Sequence, residues 1–279
     1  MVKATILITG ASSGIGAALA EEYARRGWNL LLVARRADKL EAVRKTCESL
    51  NPGGRSETWI GDVTEAHFAE RLRERLETID QLKVVFVNAG VGSAGRFDKL
   101  SLEDFRRVLE TNLFGAIQTI QGSLPALKKS KGRLAILGSM NSYLALPLGA
   151  PYNISKFAVR ALGESLFAEL ASVHVGVTMI CPGPVRTEIL AKDNLGRDRP
   201  EAKKYFDSKP ALDANVAARR IYRGVQLGRR EFTLDFPSRF LIGFSRHFPG
   251  LTAWMVRFFY VRFEALFSSL VGKVNPDSV

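Results

Sequence analysis

The chain reads as a doubly wound α/β domain, a seven-stranded parallel sheet with helices on both faces, followed by a helical C-terminal extension rich in aromatic residues. Three observations predict this. Short apolar runs alternate with longer amphipathic segments through the first 235 residues, the pattern of strands buried on both faces and covered by crossover helices. The first apolar run ends in a glycine-rich turn that leads at once into a helix, Thr9-Gly10-Ala11-Ser12-Ser13-Gly14-Ile15-Gly16. A length of 279 residues, 46% hydrophobic and 24% charged, suffices for one substantial core and is not the composition of a disordered chain.

The elements follow in order. A strand at Thr5–Ile8 leads into a helix from Gly14 to Arg26, and a strand at Leu30–Ala34 into a helix from Ala37 to Leu50. The third strand, Thr58–Ile60, precedes a helix from Glu65 to Ile79, with Thr64 as its start signal. Val84–Asn88 is followed by one long helix from Leu102 to Leu127, begun at Ser101 ahead of acidic residues. Leu134–Gly138 precedes a helix from Tyr152 to Ser172, and Val177–Cys181 is followed by the polar segment Glu188–Pro210, which has no apolar periodicity and reads as an insertion. Asp213 starts an alanine-rich helix that runs to Leu227, and Phe232–Leu234 is the last strand. With no internal repeat or linker, residues 1–237 read as one domain and 238–279 as an amphipathic extension.

A glycine-rich turn between strand and helix lets backbone N–H groups approach a pyrophosphate, and the helix N-terminus adds the positive end of its dipole. Gly10 suits the tight turn, Gly14 the close approach and Gly16 the packing of helix on strand. The same turn can also serve structure alone. A carboxylate at the end of the second strand would bond the ribose hydroxyls of NAD and repel a 2′-phosphate. That position is Ala34, followed by Arg35 and Arg36. Guanidinium groups pair with phosphate in bidentate fashion, so NADP(H) is the predicted cofactor, with Ser12 or Ser13 adding a hydroxyl. The alternative is that both arginines are solvated charges leading the next helix.

The spacing TGxxxGxG resembles the glycine motif of the short-chain dehydrogenase/reductase family, whose fold is a Rossmann-type domain. The resemblance extends over residues 3–235. It implies that Asp62 and Val63 contact the adenine and that Asn88, Ala89 and Gly90 close the floor of the cofactor site. It also implies that the loop Pro182-Gly183-Pro184-Val185-Arg186-Thr187 lies beside the nicotinamide, with the Val185 backbone and the Thr187 hydroxyl near the carboxamide. Asn112 matches the helical asparagine of the family, which supports a water-mediated proton path. Read from the residues alone, it is a mid-helix polar side chain bonding its own backbone.

Ser139 is followed thirteen residues later by Tyr152, and four residues on by Lys156. Tyr152 and Lys156 fall on one helix face, a spacing that is also common in surface cover. A phenol of pKa about 10 is a poor acid or base at neutral pH. A neighbouring ammonium and a positive nicotinamide ring would favour the phenolate. In the family, Lys156 would also bond the nicotinamide ribose, and Ser139 would hold the substrate oxygen. Ser142 is a rival that the family spacing sets aside. The reaction implied is reversible hydride transfer between nicotinamide C4 and a carbonyl carbon, without a metal. The competing reading is a nucleotide-binding regulatory or membrane-associated adaptor with little turnover.

Cys47 and Cys181 are far apart and form no CxxC pair, which argues against a disulfide scaffold or zinc site. The apolar stretch near Met1 is too short for a signal sequence or a membrane span, so a cytoplasmic location is expected. The net charge of +12 suits nucleic acid, an anionic membrane, an anionic ligand or a basic soluble surface. No basic run of five and no zinc-finger or RNA-platform pattern occurs, so nucleic acid is not predicted. His67, His174 and His247 read as surface or capping residues.

Eight of the seventeen phenylalanines fall in the last 44 residues. Phe236, Phe240, Phe244 and Phe248 recur every fourth position, and Trp254, Phe258, Phe259, Phe263 and Phe267 continue the apolar load. Arg239, Arg246, Arg257 and Arg262 interrupt it too often for a membrane span. Two readings stay open: a helical cap on the substrate cleft or on a second subunit, and a basic aromatic helix lying in a membrane interface. Both suggest a lipophilic carbonyl or alcohol substrate. The two long helices at 102–127 and 152–172 suggest a homodimer or homotetramer by analogy with the family.

Overall fold

The computed structural model describes residues 4–187, 211–264 and 269. The polar segment Glu188–Pro210 and Phe267 lie outside them.

The first strand shows why the apolar runs are continuous. β1 (Thr5–Thr9) buries Ile6 and Ile8 on one side of the sheet and Leu7 on the other, all with no solvent exposure. It pairs in parallel with β2 (Asn29–Ala34), Leu7 opposite Leu31, and with β4 (Leu82–Val87). β3 (Ser56–Ile60) lies beyond β2, while β5 (Arg133–Leu137), β6 (Gly176–Ile180) and the two-residue β7 (Glu231–Phe232) extend the far side. The order is β3-β2-β1-β4-β5-β6-β7, with every pairing parallel. The chain therefore reverses its direction of winding between β1 and β4, which opens a crevice at the carboxyl ends of these strands.

Helices α1 (Gly14–Ala24) and α2 (Ala37–Leu50) cover one face. They are joined there by Ala214–Gln226, numbered α7, whose Ala217, Ala218 and Ile221 are fully buried. The other face carries α3 (Phe68–Leu76), α5 (Gly115–Ser130) and α6 (Ala150–Glu169). Phe68, Leu72, Leu127 and Val159 pack there against Leu7, Val85 and Ile136.

The expected starts at Ser101 and Asp213 are N-caps. The Ser101 hydroxyl accepts from the Asp104 amide at 3.2 Å, and the Asp213 carboxylate from the Asn215 amide at 2.8 Å. Thr64 is not a cap: its hydroxyl donates to Asp62 Oδ1 at 2.9 Å, and α3 begins only after His67, whose φ is 62°. His174 closes the turn after α6 with φ 57°.

The helix expected as one piece from Leu102 to Leu127 is divided. α4 (Leu102–Leu109) passes through a wide π turn, Glu110–Phe114, into α5. The cause is tertiary, because the turn carries Asn112 into bonds with a distant loop. The extension likewise forms two helices, α8 (Phe236–His247) and α9 (Pro249–Arg262), broken at Phe248–Pro249, where proline cannot continue a helix. Among the described residues no helix is long and apolar enough to cross a membrane.

Candidate active site

The carboxyl ends of β1, β4 and β5 and the loop after β6 enclose a cleft of about 370 Å³. Its wall includes Gly10, Ser12, Ser13, Gly14, Ile15, Arg35, Arg36, Asp62, Val63, Asn88, Ala89, Gly90, Ser139, Tyr152, Lys156, Pro182, Gly183, Val185 and Thr187. Two of the sequence candidates, Gly16 and Asn112, stand behind the wall.

The glycine turn is held by close approach. Gly10 has φ +69°, a left-handed conformation that L side chains rarely adopt. A Cβ on Gly16 would sit 2.4 Å from the Gly10 carbonyl oxygen, so α1 can start only against a bare backbone. Asn88, at the end of β4, fastens this turn. Its Nδ2 donates to Thr9 O at 2.8 Å, while the Thr9 hydroxyl accepts from the Asn88 and Ala89 amides. Gly14 meets Thr187, whose Cβ would lie 3.2 Å from an added side chain, which brings the turn and the loop after β6 to one place.

The two arginines differ in surroundings. Arg36 Nη2 donates to Ser13 Oγ at 2.6 Å and to Ser12 Oγ at 3.1 Å, so a guanidinium and two hydroxyls form one cluster at the mouth of the turn. Arg35 instead pairs with Asp62 at 3.3 Å.

At the inner end, Pro151 in the first turn of α6 starts the helix just before Tyr152. Lys156 lies one turn on, only 6% exposed, with its Nζ donating to Leu137 O at 2.9 Å and 5.7 Å from the Tyr152 ring centre. Burial pushes the Lys156 ammonium down to about 8. Burial also pushes the Tyr152 phenol up, while a hydrogen bond with the Ser139 hydroxyl works the other way. The expected lowering of Tyr152 by the ammonium is thus not supplied by the side chains, because loss of solvation outweighs the Ser139 bond. Ser139 faces the cleft, and its Oγ accepts from the Asn141 amide at 3.1 Å. Ser142 is fully buried and its hydroxyl accepts from the Ser139 amide at 3.2 Å, a structural task.

Asn112 is 2% exposed and does not bond its own helix. Its Oδ1 accepts from Val91 N at 2.7 Å, and its Nδ2 donates to Val91 O at 3.0 Å and to Ser155 Oγ at 2.9 Å. Ser155 in turn donates to Tyr152 O at 2.7 Å. Asn112 thereby joins the loop after β4 to the helix that carries Tyr152. Cys181 is fully buried and its thiol is pushed up to about 12 by desolvation, so it is inert.

Several wall residues carried no motif: Val91, Gly92, Arg107, Thr111 and Gly138. Asn141 and Asn153 were equally silent, yet Asn141 Nδ2 donates to Asn153 Oδ1 at 2.6 Å, and Asn153 Nδ2 to Leu146 O at 2.7 Å, tying the Ser139 loop to α6. Behind them, Tyr143 lies between Arg160, 3.9 Å from its ring centre, and Arg246 of α8, at 5.0 Å. Only their neighbourhood to Ser139 and Tyr152 could have drawn attention to them.

A doubly wound sheet with a glycine turn at one end of its crevice and a tyrosine–lysine pair at the other defines a nucleotide-binding α/β oxidoreductase. Residues 4–198 match the family described as short chain dehydrogenase. The 11-beta-hydroxysteroid dehydrogenase-like 3 of Arabidopsis thaliana is 32% identical over 242 residues, 85% of this chain and 74% of that protein. An alcohol dehydrogenase from the archaeon Thermococcus sibiricus, solved with 5-hydroxy-NADP, is 29% identical, with 83% of this chain and 96% of that one covered and a TM-score of 0.72. A short-chain dehydrogenase from Sphingobium yanoikuyae, solved with NADPH, is 25% identical, with coverage of 90% and 95% and a TM-score of 0.75. The chain belongs to the short-chain dehydrogenase/reductase family and is an oxidoreductase acting on alcohol and carbonyl groups.

Proposed function

We propose that the chain reduces an apolar ketone or aldehyde with NADPH, with Tyr152, Lys156, Ser139 and Asn112 as its reaction machinery. The observation that carries this reading is the placement of Ser139, Tyr152 and Lys156 in one cleft with the Arg36–Ser12–Ser13 cluster.

The residues present fit a dinucleotide: Gly14 leaves a cradle that a side chain would fill against Thr187, and α1 opens toward it with its N-terminus. Arg36 with Ser12 and Ser13 would hold the 2′-phosphate, Asp62 and Val63 the adenine, and the 182–187 loop the nicotinamide end. NADPH bound there supplies a hydride from its nicotinamide C4. Ser139 would donate to the substrate oxygen and fix the carbonyl beside Tyr152. A phenol pushed up by burial keeps its proton until charge builds on that oxygen, and then releases it there. Lys156 would support the phenolate left behind and hold the ribose. Asn112 would keep Val91 and α6 in register.

The steroid-dehydrogenase name of the Arabidopsis relative and the apolar extension support a lipophilic substrate. Among the described residues the wall of the cleft is drawn from positions 10–187 and none comes from α8 or α9, which supports residues 1–237 as the catalytic unit and 238–279 as an extension. Two buried free thiols, Cys47 and Cys181, suit a reducing compartment, and we place the protein in the cytoplasm.

The test is NADPH consumption over a panel of apolar ketones and aldehydes. Tyr152→Phe should lower turnover by about 10²–10⁴-fold while leaving NADPH binding within about twofold. A protein that binds NADPH and turns over no carbonyl would instead be the adaptor.

A further inference from the structure

Both helices of the extension leave large apolar side chains in solvent. In α8 the residues turned to the body are Ser238, Ile242 and Ser245, whereas Phe236, Phe240 and Phe248 are exposed. In α9 no residue is buried. Thr252, Val256 and Tyr260, four apart, are its half-covered side. Leu251, Trp254, Met255, Phe258 and Val261 recur at intervals of three and four on the opposite side and are exposed, Trp254 by 60% and Phe258 by 51%. A helix that only caps a domain turns an apolar side inward; α8 instead turns Ser238 and Ser245 inward beside Ile242, and α9 carries apolar residues around most of its surface while burying none.

We propose that this face docks on an anionic lipid bilayer, with α9 lying in the interface. Charge selects that occupant. Residues 236–264 hold four arginines and one acid, Glu264, and Glu264 is paired with Arg96 at 3.2 Å. Among the described residues Arg257 and Arg262 meet no acidic group, so both are available to phosphate headgroups at the rim of an apolar side. Trp254 has the amphipathic ring that favours the headgroup level, and α9 is too short to span. A second copy has separate apolar residues to occupy, Ile154 and Phe157 on α6. The Arg96–Glu264 pair also fixes the end of α9 beside the loop that continues from Val91 and Gly92 of the cleft wall, so docking brings the cleft mouth to the lipid.

The full chain should co-sediment with vesicles of phosphatidylcholine containing about 30 mol% phosphatidylserine, less with pure phosphatidylcholine, and less as salt rises. Replacing Trp254→Ser and Phe258→Ser together should lower the partition coefficient by at least about tenfold with an unchanged melting temperature, because both side chains are exposed. Arg257→Gln should lower it about fivefold on the anionic vesicles alone. The proposal is overturned by absence of binding to either vesicle, or by undiminished binding of the double variant. A double variant that loses oligomeric mass instead would assign the face to a second copy. Vesicle binding is read without turnover, so it fails or succeeds separately from the proposed reaction.

Discussion

At the residue scale the two arginines after β2 are not equivalent. Arg36 gathers the Ser12 and Ser13 hydroxyls at the mouth of the glycine turn, while Arg35 points away from them to Asp62. Arg36→Ala should therefore weaken NADPH binding by about 10–100-fold and leave NADH nearly unchanged, whereas Arg35→Ala should have a smaller effect; calorimetric titration with both nucleotides reads the difference. Lys156 yields a second prediction. Its folded pKa of about 8 lies below its ordinary value, so below pH 8 the native chain carries a buried ammonium. Between about 8 and 10.5 the unfolded chain holds that proton and the folded chain does not, and stability rises with pH through that window. Without added nucleotide, wild-type should gain up to about 3 kcal/mol relative to Lys156→Met over this range, measured by denaturant unfolding at each pH.

At the element scale α8 and α9 play different parts despite similar composition. α8 places Ser238 against Gly183, where an added Cβ would lie 1.9 Å from the Ser238 hydroxyl, and sends Ile242 into the core. Its Arg246 reaches both Tyr143 and Glu231, the latter at 3.7 Å. It therefore braces the 182–187 loop and the segment after Ser139 from behind. α9 buries nothing. Truncation after Phe248 should leave the melting temperature within a few degrees of the full chain, whereas truncation after Pro237 should lower it by about 10 °C or more, since loss of Ile242 alone costs about 2–5 kcal/mol. Differential scanning calorimetry distinguishes the two. The π turn is also an element-scale device: one wide turn aims Asn112 at Val91 and Ser155, a task a regular helix would miss by a fraction of a turn.

At the scale of the whole molecule, the exposed Phe114, Ile154 and Phe157 on the π turn and α6 are apolar surface that the sheet does not use. We expect two copies to pair there. Phe157→Glu should shift the species in light scattering from dimer to monomer without loss of helicity, because Phe157 makes no part of either core cluster. A monomeric wild-type would remove this assignment and leave the lipid-facing helix untouched.

What the sequence alone determined is what local chemistry determines. A short apolar run rich in β-branched residues and closed by a glycine turn reads as a strand buried on both faces, so Thr5-Ile6-Leu7-Ile8 marked β1. Glycine at 10 and 16 reported a backbone that admits no side chain, and the four-residue spacing of Tyr152 and Lys156 put them on one face of α6. Tertiary structure alone decided the partners that lie far away in the chain. Arg36 meets Ser12 and Ser13 across more than twenty residues, and Asn112 meets Ser155 across forty-three. The direction of the Tyr152 phenol was likewise hidden, because solvation depends on what surrounds a group and not on its neighbours in sequence. The extension shows the same division: its phenylalanines announced a greasy surface, and only the packing of Ser238, Ile242 and Ser245 against the body decided that the greasy side faces out.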